Sequence, residues 1–237
     1  MNLAWAAAGA VLGVPTGAVM RGPVFALSVA GEAADRRACP RCGADVSPRP
    51  AVRCAQCGGL FGPPAVFELA TAGVLALLFA RFGGSAAVAA FAFLGVLGVA
   101  LSAIDIAVQR LPNRLTLPAY PVTVALLGVA AVVGHSGGSL VRALLGGVVL
   151  AAVYLFLAVA RPGQLGAGDV KLAGLTGLAL GWVGWPVVVF GAALGFVLSA
   201  LISLALLAAR RLTMRSSISF GPFMLGGALL AIVLSGL

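Results

Sequence analysis

The chain reads as an all-α polytopic membrane protein of about eight transmembrane helices, with a small four-cysteine module after the first helix. Three observations predict this. Of its 237 residues, 62% are hydrophobic and only 9% charged, where a soluble domain carries roughly 25% charged residues. So few charges cannot cover a water-facing surface of this size. The apolar residues also come in long blocks, and a bilayer-spanning helix needs about 20 of them in a row. The one long polar stretch, about residues 31–64, holds all four cysteines, five arginines and several prolines.

The first apolar stretch runs roughly from Leu3 to Met20 and can continue past Arg21 to Ala30. It lacks a basic n-region and an obvious small-residue cleavage site, so it reads as a retained anchor and not a removed signal peptide. Further apolar blocks fall at about Ala65–Phe82, Ser85–Ile104, Leu115–Val133, Leu140–Ala160, Val170–Val183, Pro186–Ala209 and Ile218–Leu237. The expected organisation is a first helix within 1–30, a polar module over 31–64, and a core of about seven helices over 65–237. No internal repeat stands out.

The formal charge is +9. In a soluble protein that would suggest nucleic acid, but among apolar spans arginines in short loops are topology signals. No nucleic-acid partner is expected; the solvent is the lipid bilayer. With the cysteine module in the cytoplasm, the cytoplasmic loops hold Arg36, Arg37, Arg41, Arg49, Arg53, Arg110, Arg114, Arg161, Lys171, Arg210, Arg211 and Arg215, against Arg81 and Arg142 outside. Twelve against two decides the orientation by the positive-inside rule. Arg21 joins the inner group if the first helix stops there.

Six acids are present, and Glu32, Asp35 and Asp45 belong to the polar module. Only Glu68, Asp105 and Asp169 lie in or beside the apolar blocks. An acid at membrane depth costs roughly 2.5–3.5 kcal/mol on insertion scales, so these are candidate functional groups. Asp105 ends the third block and Asp169 opens the sixth, which puts both at the cytoplasmic ends of their helices and at one depth. Two facing carboxyl groups cannot both ionise easily and can share one proton. That state suits hydrolysis, with the ionised group taking a proton from water and the protonated one polarising a carbonyl. Gly166 and Gly168 would let backbone approach the pair closely, as an extended peptide requires. Two other readings stay open from the residues alone. A helix-end role fits Asp169, which an N-terminal dipole and capping favour, but fits Asp105 near a C-terminus poorly. A proton or cation pathway, as in an ion-coupled transporter, uses intramembrane acids too.

Cys39-Pro40-Arg41-Cys42 and Cys54-Ala55-Gln56-Cys57 are two CxxC knuckles separated by 11 residues. Together they offer four thiolates, the donor set of a tetrahedral structural zinc site. The separation is shorter than the usual ribbon range of roughly 15–20 residues, yet a short hairpin spans it. Two disulfides are the alternative, and cytoplasmic placement argues against them. Zinc would fold a segment too small for a core of its own.

Gly166-Ala167-Gly168-Asp169 is a GxGD motif, continued by Val170-Lys171-Leu172. With Ile104-Asp105, Leu111-Pro112-Asn113 and Leu115-Thr116-Leu117-Pro118 about 60 residues earlier, it resembles the prepilin peptidases, intramembrane aspartic proteases of the GxGD type. The late segment Ile218-Ser219-Phe220-Gly221-Pro222-Phe223 is similar to that family's Phe-Gly-Pro stretch. The resemblance, from Cys39 to the C-terminus, implies that Asp105 and Asp169 are the catalytic pair, supported by Gly166, Gly168 and Lys171. It implies prepilin or pseudopilin precursors as substrates, cleaved between a basic leader and an apolar helix, and a bacterial inner-membrane location serving a type IV pilus or type II secretion. The tetracysteine loop looks like that of bifunctional members, which also N-methylate the new N-terminus with S-adenosylmethionine. One departure is plain: the family's first span carries Gly-Ser-Phe-Leu-Asn before Arg-x-Pro, whereas here Pro15-Thr16-Gly17-Ala18-Val19-Met20 precedes Arg21-Gly22-Pro23 and the Asn is missing.

Glu68 lies just inside the second block, where the family has a Glu, and reads as a partner for an Arg or a cap more readily than as a catalytic group. His135, the only histidine, reads as a solvated turn residue. Lys171 either snorkels to the interface or acts electrostatically on Asp169. Trp182 and Trp185 fit an interfacial aromatic belt. A non-catalytic membrane scaffold that recruits partners through the cysteine module is the remaining reading, and it leaves Asp105 and Asp169 unexplained.

Overall fold

The computed structural model describes residues 2–29, 38–39, 41–45, 53–62, 65–161, 165–210 and 219–236. Arg36, Arg37, Arg49, Arg211, Arg215, Glu32, Asp35 and Ile218 lie outside the described residues. The helices are α1 (Leu3–Leu27), α2 (Val66–Phe82), α3 (Val88–Val108), α4 (Asn113–Val133), α5 (Gly137–Ala160), α6 (Ala167–Val183), α7 (Trp185–Ala208) and α8 (Gly221–Leu234). Among the described residues there is no strand beyond two isolated β-bridges. The expectation of an all-helical membrane protein with about eight helices holds. Five of them, α1, α3, α4, α5 and α7, are long and apolar enough to cross a membrane.

The helix ends differ from the sequence expectation where it matters for chemistry. α3 runs on to Val108, so Asp105 lies within its last turn. α6 starts at Ala167, so Asp169 belongs to its first turn. α1 continues through Pro15, Arg21 and Pro23 to Leu27. Its start is capped by Asn2, whose Oδ1 accepts the Ala4 N–H at 3.0 Å.

α2 and α6 have only 17 residues each, about 25 Å at the helical rise. For α6 the reason is position. Every residue from Leu172 to Gly181 is buried, among α4, α5, α7 and α8. A helix enclosed by others need not match the lipid.

Apolar lipid supplies no hydrophobic drive between helices, so close packing of small residues does the work. Gly9, Gly13 and Gly17 lay α1 on α2, where a Cβ would strike the backbone of Leu75, Ala72 and Phe67. Gly146 and Gly147 of α5 meet Gly177 and Gly174 of α6 in the same manner, and Gly195 of α7 meets Gly227 of α8.

Successive helices alternate in direction. One end gathers the C-termini of α1, α3, α5 and α7, the N-termini of the others, and the cysteine module. At the far end Trp5 packs on Gly83, Arg81 on Gly236, and Arg142 donates to the carbonyls of Gly181 and Trp182 at 2.9 and 2.8 Å. Arg81 and Arg142 are thus separated from the other described basic side chains, in the partition that the loops suggested.

A carboxylate pair and a thiol cluster at one end of the bundle

Asp105 is 5% exposed although it sits near a helix C-terminus, where the dipole disfavours an anion. Its donors come from α8, more than a hundred residues later. Ser219 Oγ donates to Asp105 Oδ2 at 2.6 Å, and the Gly221 N–H donates to the same oxygen at 3.0 Å. Gly221 must be glycine for this approach: a Cβ there would stand 2.6 Å from Asp105 Oδ2.

Asp169 reaches back along its own helix. Its Oδ2 accepts the Gly166 N–H at 2.9 Å, which is the capping that its helix-end position suggested. Only that oxygen is used, and the residue stays partly exposed. Gly221 wedges between Asp105 and Leu172, one turn beyond Asp169. The structure therefore puts the two acids that the sequence singled out at one end of the bundle, with α8 between α3 and α6.

The glycines of the motif serve packing. A Cβ on Gly168 would lie 3.0 Å from that of Leu111, so the loop before α6 rests on the stretch after Asp105. Lys171 Nζ donates to Asn113 Oδ1 at 2.7 Å and ties α6 to α4. Tyr120 strengthens the tie, donating to the Lys171 carbonyl at 2.6 Å.

Glu68 takes the structural role. Arg21, 1% exposed, donates from Nε to Glu68 Oε1 at 2.9 Å and from a terminal nitrogen to Oε2 at 2.5 Å. The same guanidinium donates to the Phe61 carbonyl at 3.0 Å, so α1, α2 and the cysteine module share one cation. His135 is exposed in the turn after α4. Trp185 stands 42% exposed at the start of α7, at the turn expected for it.

The four cysteines converge. Cys39 and Cys54 each accept a turn hydrogen bond, from Gly43 and Gly58 at 2.9 Å. Those glycines have φ of +71° and +67°, a region that L side chains avoid. The bridges Ala38–Asp45 and Arg53–Leu60 close both knuckles. All four sulfurs lie within 4.8 Å of one another, with Cys39–Cys57 and Cys42–Cys54 at 3.7 Å. A tetrahedral zinc with bonds of about 2.3 Å sets its sulfurs about 3.8 Å apart, so this donor set fits the ion. The Arg41 and Cys42 amides hold the Cys39 thiol below its usual value. Those of Cys57 and Gln56 bring Cys54 down to about 6. The Ala44 amide pulls Cys42 the same way, but burial and the neighbouring thiols push it up to about 12. Crowded sulfurs of this kind are relieved by a dication. Phe61 stacks on Phe25 of α1 at 5.2 Å and joins Cys39 and Cys54 in a small core that seats the module on the bundle.

A cavity of about 670 Å³ reaches Ile106 and Pro222, the residues directly after Asp105 and Gly221, although neither carboxylate is among its walls. Its walls are apolar, from α1–α2 on one side and α3 and α8 on the other, with Phe67, Leu94, Gly98, Ile106 and Leu225 among them.

Sequence reasoning quoted the segment holding Ser219 and Gly221 without giving either a role. It missed Asn113 as a partner for Lys171, and it overlooked that the only two tyrosines, Tyr120 and Tyr154, both lie in apolar blocks near these acids.

Fold and site together define a helical membrane protein with paired acids and a four-thiol cluster at one end. The model of the type IV leader peptidase family matches residues 91–204, which include both aspartates. Relatives named prepilin leader peptidase/N-methyltransferase are 33% identical over 211 residues in Burkholderia pseudomallei, in two strains, covering 81% of this chain and 65% of the relative. One of the same name from Pseudomonas aeruginosa is 30% identical over 206 residues, covering 79% of this chain and 67% of the relative. The chain belongs to the type IV leader peptidase family. It spans about two thirds of the length of these relatives. No solved structure matches it.

Proposed function

We propose that this chain is an aspartic endopeptidase that removes the basic leader from type IV prepilin-like precursors, with Asp105 and Asp169 as its catalytic pair. The observation that carries the reading is the convergence of α3, α6 and α8 on these two acids at one end of the bundle. One shared proton leaves one carboxylate to take a proton from water while the other acid polarises the scissile carbonyl. Ser219 and Gly221 hold Asp105 in place for this, and Gly166 holds Asp169. The apolar cavity alongside would take the substrate's apolar helix, leaving the leader junction at the pair. By the positive-inside rule this end faces the cytoplasm of a bacterial inner membrane, which also places the thiol cluster where its cysteines stay reduced.

In this reading zinc is held by Cys39, Cys42, Cys54 and Cys57 and is structural. The relatives' names carry a second activity, N-methyltransferase; by the family resemblance it would act on the new N-terminus, with S-adenosylmethionine as donor. The described cavity does not fit that charged molecule: its polar lining is Arg21, committed to Glu68, and the hydroxyls of Ser28, Ser102 and Thr176. No residue is assigned to the donor.

The test is co-expression with a candidate prepilin, followed by mass spectrometry of the mature N-terminus, which reads cleavage and methylation together. Asp105→Ala and Asp169→Ala should each leave the precursor intact in a chain that still inserts. Cleavage retained in either variant removes that aspartate from the mechanism. Flux of protons in liposomes without peptidase activity would favour a transporter, although each of the eight helices here is continuous from end to end.

A further inference from the structure

Tyr154 lies on α5, two turns before the helix ends, and its side chain is wholly buried. Its ring packs against Phe196 and Phe220 at 5.5 and 6.0 Å between centroids. Phe220 directly precedes the glycine that binds Asp105. The Tyr154 hydroxyl has no hydrogen-bond partner. Buried hydroxyls are nearly always bonded, so an orphan of this kind beside an acid pair needs a reason.

The register of the α5–α6 hairpin supplies one. Ala143 lies against Gly181, Gly146 against Gly177, and Gly147 against Gly174. Each step along α5 toward the site end is matched by a step back along α6. Continued at that pitch, the register brings Tyr154 level with Asp169 and Val170. One Asp169 oxygen is taken by the Gly166 amide and the other is left over. A donor without an acceptor thus lies level, across the α5–α6 hairpin, with a carboxyl that has a spare oxygen.

We propose that Tyr154 is a positioning residue for the acid pair: in the working state its hydroxyl donates to Asp169 Oδ1 and aims that carboxyl at Asp105. This rests on the protease reading given above. With Gly166 and Tyr154 each holding one oxygen, the carboxyl plane of Asp169 is fixed from both sides, whereas Ser219 and Gly221 hold Asp105 through a single oxygen.

The test is Tyr154→Phe in the full chain, reconstituted in vesicles and assayed on a purified prepilin. The substitution keeps the ring and removes only an unpartnered hydroxyl, so a purely structural tyrosine would lose nothing by it. The expected result is a kcat lower by roughly tenfold to a hundredfold, a KM within about twofold of the parent, and an unchanged or higher Tm. A wild-type kcat, or a fall in kcat matched by a loss of thermal stability, overturns the proposal. Asp169→Ala, run alongside, separates the two ideas. If it is inactive while Tyr154→Phe is fully active, only the positioning role falls. If it still cleaves, the acid-pair reading falls and takes this one with it.

Discussion

Cys39, Cys42, Cys54 and Cys57 come together through two local turns, each built from residues a few positions apart, whereas Asp105 and Asp169 share one end of the bundle only because α3 ends where α6 and α8 begin. Among the described residues the core of the thiol cluster is Cys39, Cys54 and Phe61, with Phe25 and Ala44 packed against them, so its geometry leans on four sulfurs and whatever they bind. Asp105 is the reverse, although Asp169 is capped locally by Gly166. Nothing local holds Asp105; helix packing across the whole bundle sets its donors. A short-range site depends on its ligand, and a long-range site depends on the scaffold. Chemistry that needs fixed carboxyl groups suits the second kind.

That contrast can be broken or sharpened by experiment, and the largest expected effect is at the acids. Asp105→Asn and Asp169→Asn should each lower prepilin cleavage by roughly a thousandfold, with insertion and zinc content intact, as read by substrate conversion and metal analysis. Next comes Arg21→Met, which strands Glu68 and frees the Phe61 carbonyl. Removing one partner of a buried pair costs about 3–5 kcal/mol, and the loss should show as a lower Tm with a loosened cysteine module, because this cation ties α1 and α2 to Phe61. Cys54→Ser should abolish zinc binding and loosen the module, read by metal content and by faster proteolysis there, while cleavage falls less than tenfold. An unchanged metal content after that swap contradicts the four-sulfur site. The most confined effect is Ser219→Ala, which removes one of two donors to Asp105. A hydrogen bond to a charged group is worth about 1.5–3 kcal/mol, so kcat should fall by one to two orders of magnitude while zinc content stays at the wild-type level.

How much of this was legible beforehand follows the same division. Both CxxC knuckles, and the fit of four thiols to one ion, could be read because the spacing itself encodes the turns. The two acids could be named because charge is so scarce in the apolar blocks. Their supports could not. Ser219 and Gly221 lie 114 and 116 positions from Asp105, and no local pattern announces such a contact. Lys171 was read against its neighbour Asp169, while its partner Asn113 lies on another helix. Helix ends shifted too, since hydropathy stops α3 at Ile104 and the backbone ladder does not; a carboxyl bonded to α8 can be carried inside the last turn. The eight apolar blocks matched eight helices because membrane solvation requires each segment to satisfy its own backbone.

Arg21 has one more implication, for how the chain enters the membrane. A lone guanidinium at the bilayer centre costs roughly 2.5–3.5 kcal/mol on insertion scales, and α1 carries it inside an otherwise apolar segment. Its counter-ion arrives only with α2, after the whole cysteine-bearing loop has been synthesised. The first helix therefore gains by waiting at the interface until its successor emerges, and the two would partition into lipid together as a neutral hairpin.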